Sequence, residues 1–219
     1  MKNNIINSFK SFLILLLIVA GASCQKLQET PEGIAVPSNF YGTIAQCEAA
    51  YAGSMNTLYS TWNAYQNGVS FPDGQYEGAD LDFSVGSFNE VWTWHYKAIS
   101  NVNAVLKAVK AGSLAGNSTE AIANIVAQGR FLRAYNYFNL VRLYGKIPYI
   151  TEDTPDPVST PLTAASRLEI AAVYDLIEAD LLDATTNLGD YDGAAAMKPN
   201  KWMAKGFLAK VYLTRATAP

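Results

Sequence analysis

Apolar residues recur at spacings of three, four and seven through most of the chain, and no stretch alternates as a half-buried strand does. A first helix is predicted over 40–63, with Ile44, Tyr51, Met55, Leu58, Tyr59 and Trp62 on one face. Residues 64–86 break the pattern with several glycines, a proline and scattered aromatics, and read as a long loop. A second helix is predicted over 88–111, with Trp92, Tyr96, Ile99, Val102, Asn103, Leu106 and Val109 inward and Gly112 and Gly116 ending it.

The third helix, over 119–144, is apolar on most sides. Ile122, Ile125, Val126, Leu132, Tyr135 and Leu143 cover one side, and Phe131, Ala134, Phe138 and Val141 another. Such a helix belongs at the centre of a bundle. Ser118 or Thr119 can cap its start, while Gly145 and Pro148 stop it. Residues 146–164 form a proline-rich connection. The Ser166–Glu169 pair has capping-box spacing and opens a fourth helix carrying Ile170, Val173, Tyr174, Ile177, Leu181, Ala184 and Leu188, closed by Gly189. A fifth helix starts near Asn200 and carries Trp202, Phe207, Leu208, Val211, Tyr212 and Leu213.

These helices repeat. Ala134-x-x-Tyr137 in the third recurs as Ala209-x-x-Tyr212 in the fifth, each with Phe-Leu just upstream. Small residues beside large aromatics let antiparallel helices approach closely. The expected fold is therefore an all-α, tetratricopeptide-like helical repeat bundle. The last helix shows no cap over its apolar face, so the bundle is expected to be incomplete at the C-terminus.

Composition narrows the function. The 219 residues are 50% hydrophobic and 16% charged, with a net charge of −3, so the chain has a core and no basic footprint for nucleic acid. A single histidine, His95, rules out two-histidine metal motifs. Asp73, Glu77, Asp80 and Asp82 are close in sequence but do not follow the EF-hand spacing. No cofactor or metal is expected, and no nucleophile–base pair or catalytic residue emerges. An enzyme such as a glycosidase would need a placed carboxylate pair, and the acids here lie on polar helix faces or in loops.

The N-terminus has its own chemistry. Lys2 and Lys10 precede the apolar run Phe12–Val19, which is followed by Gly21, Ala22, Ser23 and Cys24. This is the layout of a signal peptide over 1–23. The run is too short for a membrane-spanning helix, which needs about 20 residues. The small residues before Cys24 resemble a bacterial lipobox, with Gly21 where leucine is usual. That resemblance makes Cys24 the acylated lipid anchor and 24–39 a tether; ordinary cleavage is the alternative. Loss of 1–23 takes the formal charge from −3 to −5. Cys47 would then stand alone, on an apolar helical stripe, and reads as a buried small hydrophobe.

The ordered motifs resemble one family. Trp92-x-x-x-Tyr96-x-x-Ile99-x-x-x-Asn103, then Gly129-x-Phe131-Leu132-Arg133-Ala134-x-x-Tyr137 with Tyr144-Gly145 and Pro148, are similar to its repeat helices. So are Arg167, Val173-Tyr174, Ile177, Asp180-Leu181 and Ala184, followed by the segment Ala204 to Leu213. The set spans about 90–215 and resembles the SusD/RagB lipoproteins. That resemblance implies nutrient capture without catalysis at the outer membrane, facing outward, with a SusC-like TonB-dependent transporter as partner. The implied ligand is an oligosaccharide; a peptide is the alternative.

Most motif residues read as structural. Arg133, in an apolar helix, is expected to satisfy loop carbonyls or a carboxylate such as Asp180. Asn103 is expected to bond between helices. The candidate ligand contacts are Asp73, Tyr76 and Trp94, because sugar rings stack C–H faces on aromatic planes and want carboxylates or amides at their hydroxyls. Trp94 lies about 200° from Trp92 around the helix, and so on another face.

Overall fold

The helices predicted from periodicity form and pack in chain order. The structure is a computed structural model, which describes residues 40–69, 85–154, 167–191, 193 and 198–217. The elements are α1 (Ile44–Val69), α2 (Val85–Lys110), α3 (Thr119–Tyr144), β1 (Ile147–Pro148), β2 (Arg167–Leu168), α4 (Ile170–Asn187) and α5 (Lys201–Thr217). Each helix packs on the next, and α1 also reaches α3. The expected signal peptide (1–23) and tether (24–39), with Cys24, lie outside the described residues.

Several local signals work as expected. Ser118 caps α3 by accepting from the Ala121 amide at 3.2 Å. Gly145 ends it at φ 71°, a left-handed conformation that favours glycine, with its N–H on the Val141 carbonyl. Asn200 caps α5, its Oδ1 accepting from the Trp202 and Met203 amides at 3.0 Å each.

Three expectations need correction. Helix α1 runs to Val69 rather than stopping at 63; residues 63–67 hold no glycine or proline, and Gly68 comes only at the end. The capping box is not the start of α4. Arg167 and Leu168 pair antiparallel with Pro148 and Ile147, which puts Glu169 itself at the N-cap. From there its carboxylate makes no cap bond and instead meets Lys146 Nζ at 2.5 Å. The close of α4 falls to Leu188 in extended backbone, its N–H on the Ala184 carbonyl, and not to a left-handed Gly189.

Helix α3 is the centre of the bundle, as its composition implies. Ile125, Phe131, Leu132, Ala134, Tyr137, Phe138, Leu140 and Val141 are all buried on it, although Leu143 stays 42% exposed. Gly129 lets α3 approach α1 and α2. A β-carbon there would strike the Tyr51 hydroxyl and sit 3.0 Å from Leu106 Cδ2. Tyr51 uses that hydroxyl to donate to the Ile125 carbonyl at 3.1 Å. Cys47 is fully buried, and burial pushes its thiol pKa up, with Glu48 adding to the effect.

Candidate functional site: a groove between α2 and the chain after α3

The chain leaving α3 runs back across the seam of α2 and α3 and is held there by side chains. Tyr96 Oη donates to the Pro148 carbonyl at 2.7 Å, and Asn103 Nδ2 to the Ile150 carbonyl at 2.9 Å. Tyr137 both donates to that carbonyl, at 2.9 Å, and accepts from the Ile150 amide, at 2.6 Å. Tyr149 stacks on Tyr137 with ring centroids 4.0 Å apart. Beyond the two-residue strand β1, the backbone groups of Ile150 are thus satisfied by side chains of α2 and α3.

Arg133 is the hub beneath this crossing. Its Nε and Nη2 each donate to one oxygen of Asp180 at 2.8 Å, the paired geometry that a planar guanidinium favours. Nη1 donates to Asn103 Oδ1 at 3.2 Å and to Glu152 Oε2 at 2.5 Å. Tyr149 Oη donates to Asp180 Oδ2 at 3.1 Å. Burial opposes the Arg133 cation, but the hydrogen bond and charge of Asp180 outweigh it, with Tyr149 and Glu152 adding, so its pKa rises. Burial likewise works against the Glu152 anion; Arg133 overcomes this and holds its carboxyl below the usual range.

Between α2 and this segment lies an open groove of about 630 Å³. Trp92 and Tyr96 form its aromatic end, and Asn103, Lys107, Glu152 and Thr154 bring polar groups to the other. Trp92 is fixed edge-on against Tyr144, 5.0 Å between centroids, and leans on Tyr96 at 4.7 Å. The shape and lining, apolar walls with a few polar groups, are those of a small-molecule cleft.

Of the candidate ligand contacts and the lipid anchor expected from sequence, Trp94 alone is described. It lies on α2, half-buried, with Lys97 Nζ 4.9 Å from its ring centroid, and does not line the groove. Trp92 lines the groove and Trp94 does not, as expected of two positions on different faces of one helix. Asp73, Tyr76 and Cys24 lie outside the described residues. The groove residues Ser100, Lys107, Glu152 and Thr154 were not anticipated. The available signal was the polar run Thr151–Thr154 inside a proline-rich connection, directly after the aromatic motif of α3. Among the described residues no cluster of histidine, cysteine and carboxylates could hold a metal, and no helix is long and apolar enough to cross a membrane.

Comparison with known proteins agrees with this architecture. A SusD-like family profile, described as starch-binding and associating with the outer membrane, matches residues 24–213. This chain belongs to the SusD-like family. It is 31% identical to the SusD-like protein P2 of Formosa agariphila, over 94% of this chain and 42% of that one. It is 30% identical to a SusD-like protein of Bacteroides ovatus, over 91% of this chain and 38% of that one. The chain therefore spans about two-fifths of the length of these relatives. Among solved structures, a SusD homologue from Bacteroides thetaiotaomicron superposes with a TM-score of 0.64 at 22% identity, covering 84% of this chain and 38% of the other. A laminarin-binding SusD-like protein superposes with a TM-score of 0.53 at 26% identity, over 77% of this chain and 40% of that one. The all-α repeat reading and the family resemblance both stand, and of the two kinds of partner expected for Arg133, loop carbonyls or a carboxylate such as Asp180, the structure shows the carboxylate.

Proposed function

We propose that this SusD-like chain captures an oligosaccharide at the outer surface of the outer membrane, tethered through acylated Cys24, and passes it to a SusC-like TonB-dependent transporter without chemical change. The observation that carries the binding reading is the groove itself. Trp92 and Tyr96 offer apolar planes for the C–H face of a sugar, and Asn103, Lys107, Glu152 and Thr154 offer hydrogen bonds at its edge. The identity of one structural neighbour as a laminarin-binding protein supports a glycan as ligand. The family match begins at residue 24, which supports Cys24 as the first residue of the mature protein. Trp94, with Asp73 and Tyr76, is proposed to make further sugar contacts.

The test is calorimetric titration of the chain with laminarin and starch oligosaccharides and with short peptides. Ser100→Trp fills the groove from an exposed position, and Trp94→Ala and Tyr76→Ala remove the proposed stacking planes. Glycan affinity should fall at least tenfold in Ser100→Trp with an unchanged melting temperature. Unchanged affinity in all three variants would remove both sets of contacts, peptide binding alone would replace the ligand class, and release of shortened glycans would make the protein an enzyme. Co-purification of a large β-barrel with the tagged lipoprotein tests the transporter.

A further inference from the structure

A second cavity lies where α1, the first half of α3 and the connection from α4 to α5 meet. It measures about 200 Å³ and shares no lining residue with the groove. At about 30 Å³ per water, that is room for roughly six or seven waters. The space suits one sugar-sized ring and not a chain of them. Its rim is held in place. The Lys201 amide donates to the Gly189 carbonyl at 3.0 Å, and Asn200 caps α5, so the connection is pinned at both ends.

Carboxamides dominate the inner lining. Gln128 borders the cavity although it is only 4% exposed. Its Nε2 donates to Asn124 Oδ1 at 2.8 Å, and its Oε1 has no partner among the described residues. Asn200 Oδ1 is taken up by the Trp202 and Met203 amides, which leaves its Nδ2 without a partner among the described residues. A buried carboxamide oxygen calls for a hydrogen-bond donor, and the Asn200 amide for an acceptor. A hydroxyl group is both.

The charges around the cavity cancel. Lys198 Nζ pairs with Glu48 Oε1 at 2.7 Å, and Lys201 Nζ with Asp190 Oδ1 at 3.2 Å. No net charge is left to select an anion or a cation. Each carboxylate still has a second oxygen, without a partner among the described residues, that can accept from a hydroxyl. Tyr191, 58% exposed, brings an aromatic ring to the lining, and the buried Pro199 adds apolar surface. Both suit the C–H face of a sugar ring.

We infer that this cavity binds a single neutral sugar ring, separately from the groove, with Gln128, Asn200 and the two carboxylates taking its hydroxyls and Tyr191 its C–H face. The full chain in detergent is titrated with glucose, galactose, mannose and xylose, with glucuronate and glucosamine as charged comparators, and followed by saturation-transfer NMR. A saturable signal is expected from at least one neutral sugar. Gly189→Phe fills the cavity, since a β-carbon at Gly189 lies 3.9 Å from Asn124 Nδ2. Asn200→Asp keeps the helix cap and removes the amide donor. Each should weaken binding at least about fivefold with an unchanged melting temperature. Ser100→Trp, in the groove, should leave this binding as it is. Absence of saturation, equal binding by all variants, or a preference for a charged sugar would overturn the inference. So would loss in Ser100→Trp alone, which would put the sugar in the groove and leave the reading of that site intact. If Gly189→Phe fails to fold, Asn200→Asp decides.

Discussion

Arg133 on α3 and Asp180 on α4 meet through two parallel 2.8 Å hydrogen bonds, with side chains only 6% and 9% exposed. The pair joins two helices and, through Glu152 and Asn103, also sets the path of the chain that walls the groove. A buried pair of this kind adds little over a well-packed apolar pair, but breaking it leaves a charge without a partner.

Asp180→Asn should therefore destabilise the protein by about 3 kcal/mol, the usual penalty for orphaning a buried charge. Arg133→Lys should also destabilise, since an ammonium cannot make the two-pronged contact and reach Glu152 as well. Urea denaturation followed by circular dichroism measures both. If Asp180→Asn leaves the midpoint unchanged, the pair does not hold the helices.

Glycine to alanine should act in opposite directions at two helical positions. At Gly206, where the β-carbon meets nothing, alanine should stabilise by up to about 1 kcal/mol through helix propensity. At Gly129 the same gain is available, but the new methyl collides with Tyr51 and Leu106, and overpacking costs about 1–3 kcal/mol. The net at Gly129 should be destabilising, and Tyr51→Phe should restore part of it by removing the oxygen in the way. Thermal melts of the three variants decide the signs.

His95 should make stability depend on pH. It is buried, with Nδ1 at 2.8 Å from Asn136 Oδ1, and Nε2 finds no partner among the described residues. Burial lowers its pKa below 6.5, and the Asn136 bond offsets this only in part. The folded state therefore binds the proton less readily than the unfolded chain. Its contribution is complete above about pH 6.5 and is lost as pH falls from there through the depressed folded value. As the chain has a single histidine, denaturation midpoints at pH 7.5 and 5.5 should differ, and His95→Phe should flatten the difference. A slope unchanged in that variant would assign it to other groups.

Short-range physics made much of the protein legible in its sequence. Period-3.6 patterning placed all five described helices, and Ser118, Gly145 and Asn200 marked ends through bonds spanning three or four residues. The uniform apolarity of α3 foretold its central place, and a charge in so apolar a helix called for a partner, with a carboxylate such as Asp180 one of the two kinds expected. The tertiary structure alone decided the rest. The path of residues 147–152 depends on bonds such as Tyr96 to Pro148 and Asn103 to Ile150, between positions 52 and 47 residues apart, which no local pattern encodes. Those bonds make the groove, bring Glu152 to Arg133, draw Arg167 and Leu168 into a strand pair and so move the start of α4. Helical periodicity finds an apolar face, but whether a neighbour covers it is set by packing between distant segments, as Leu143 on central α3, still 42% exposed, shows.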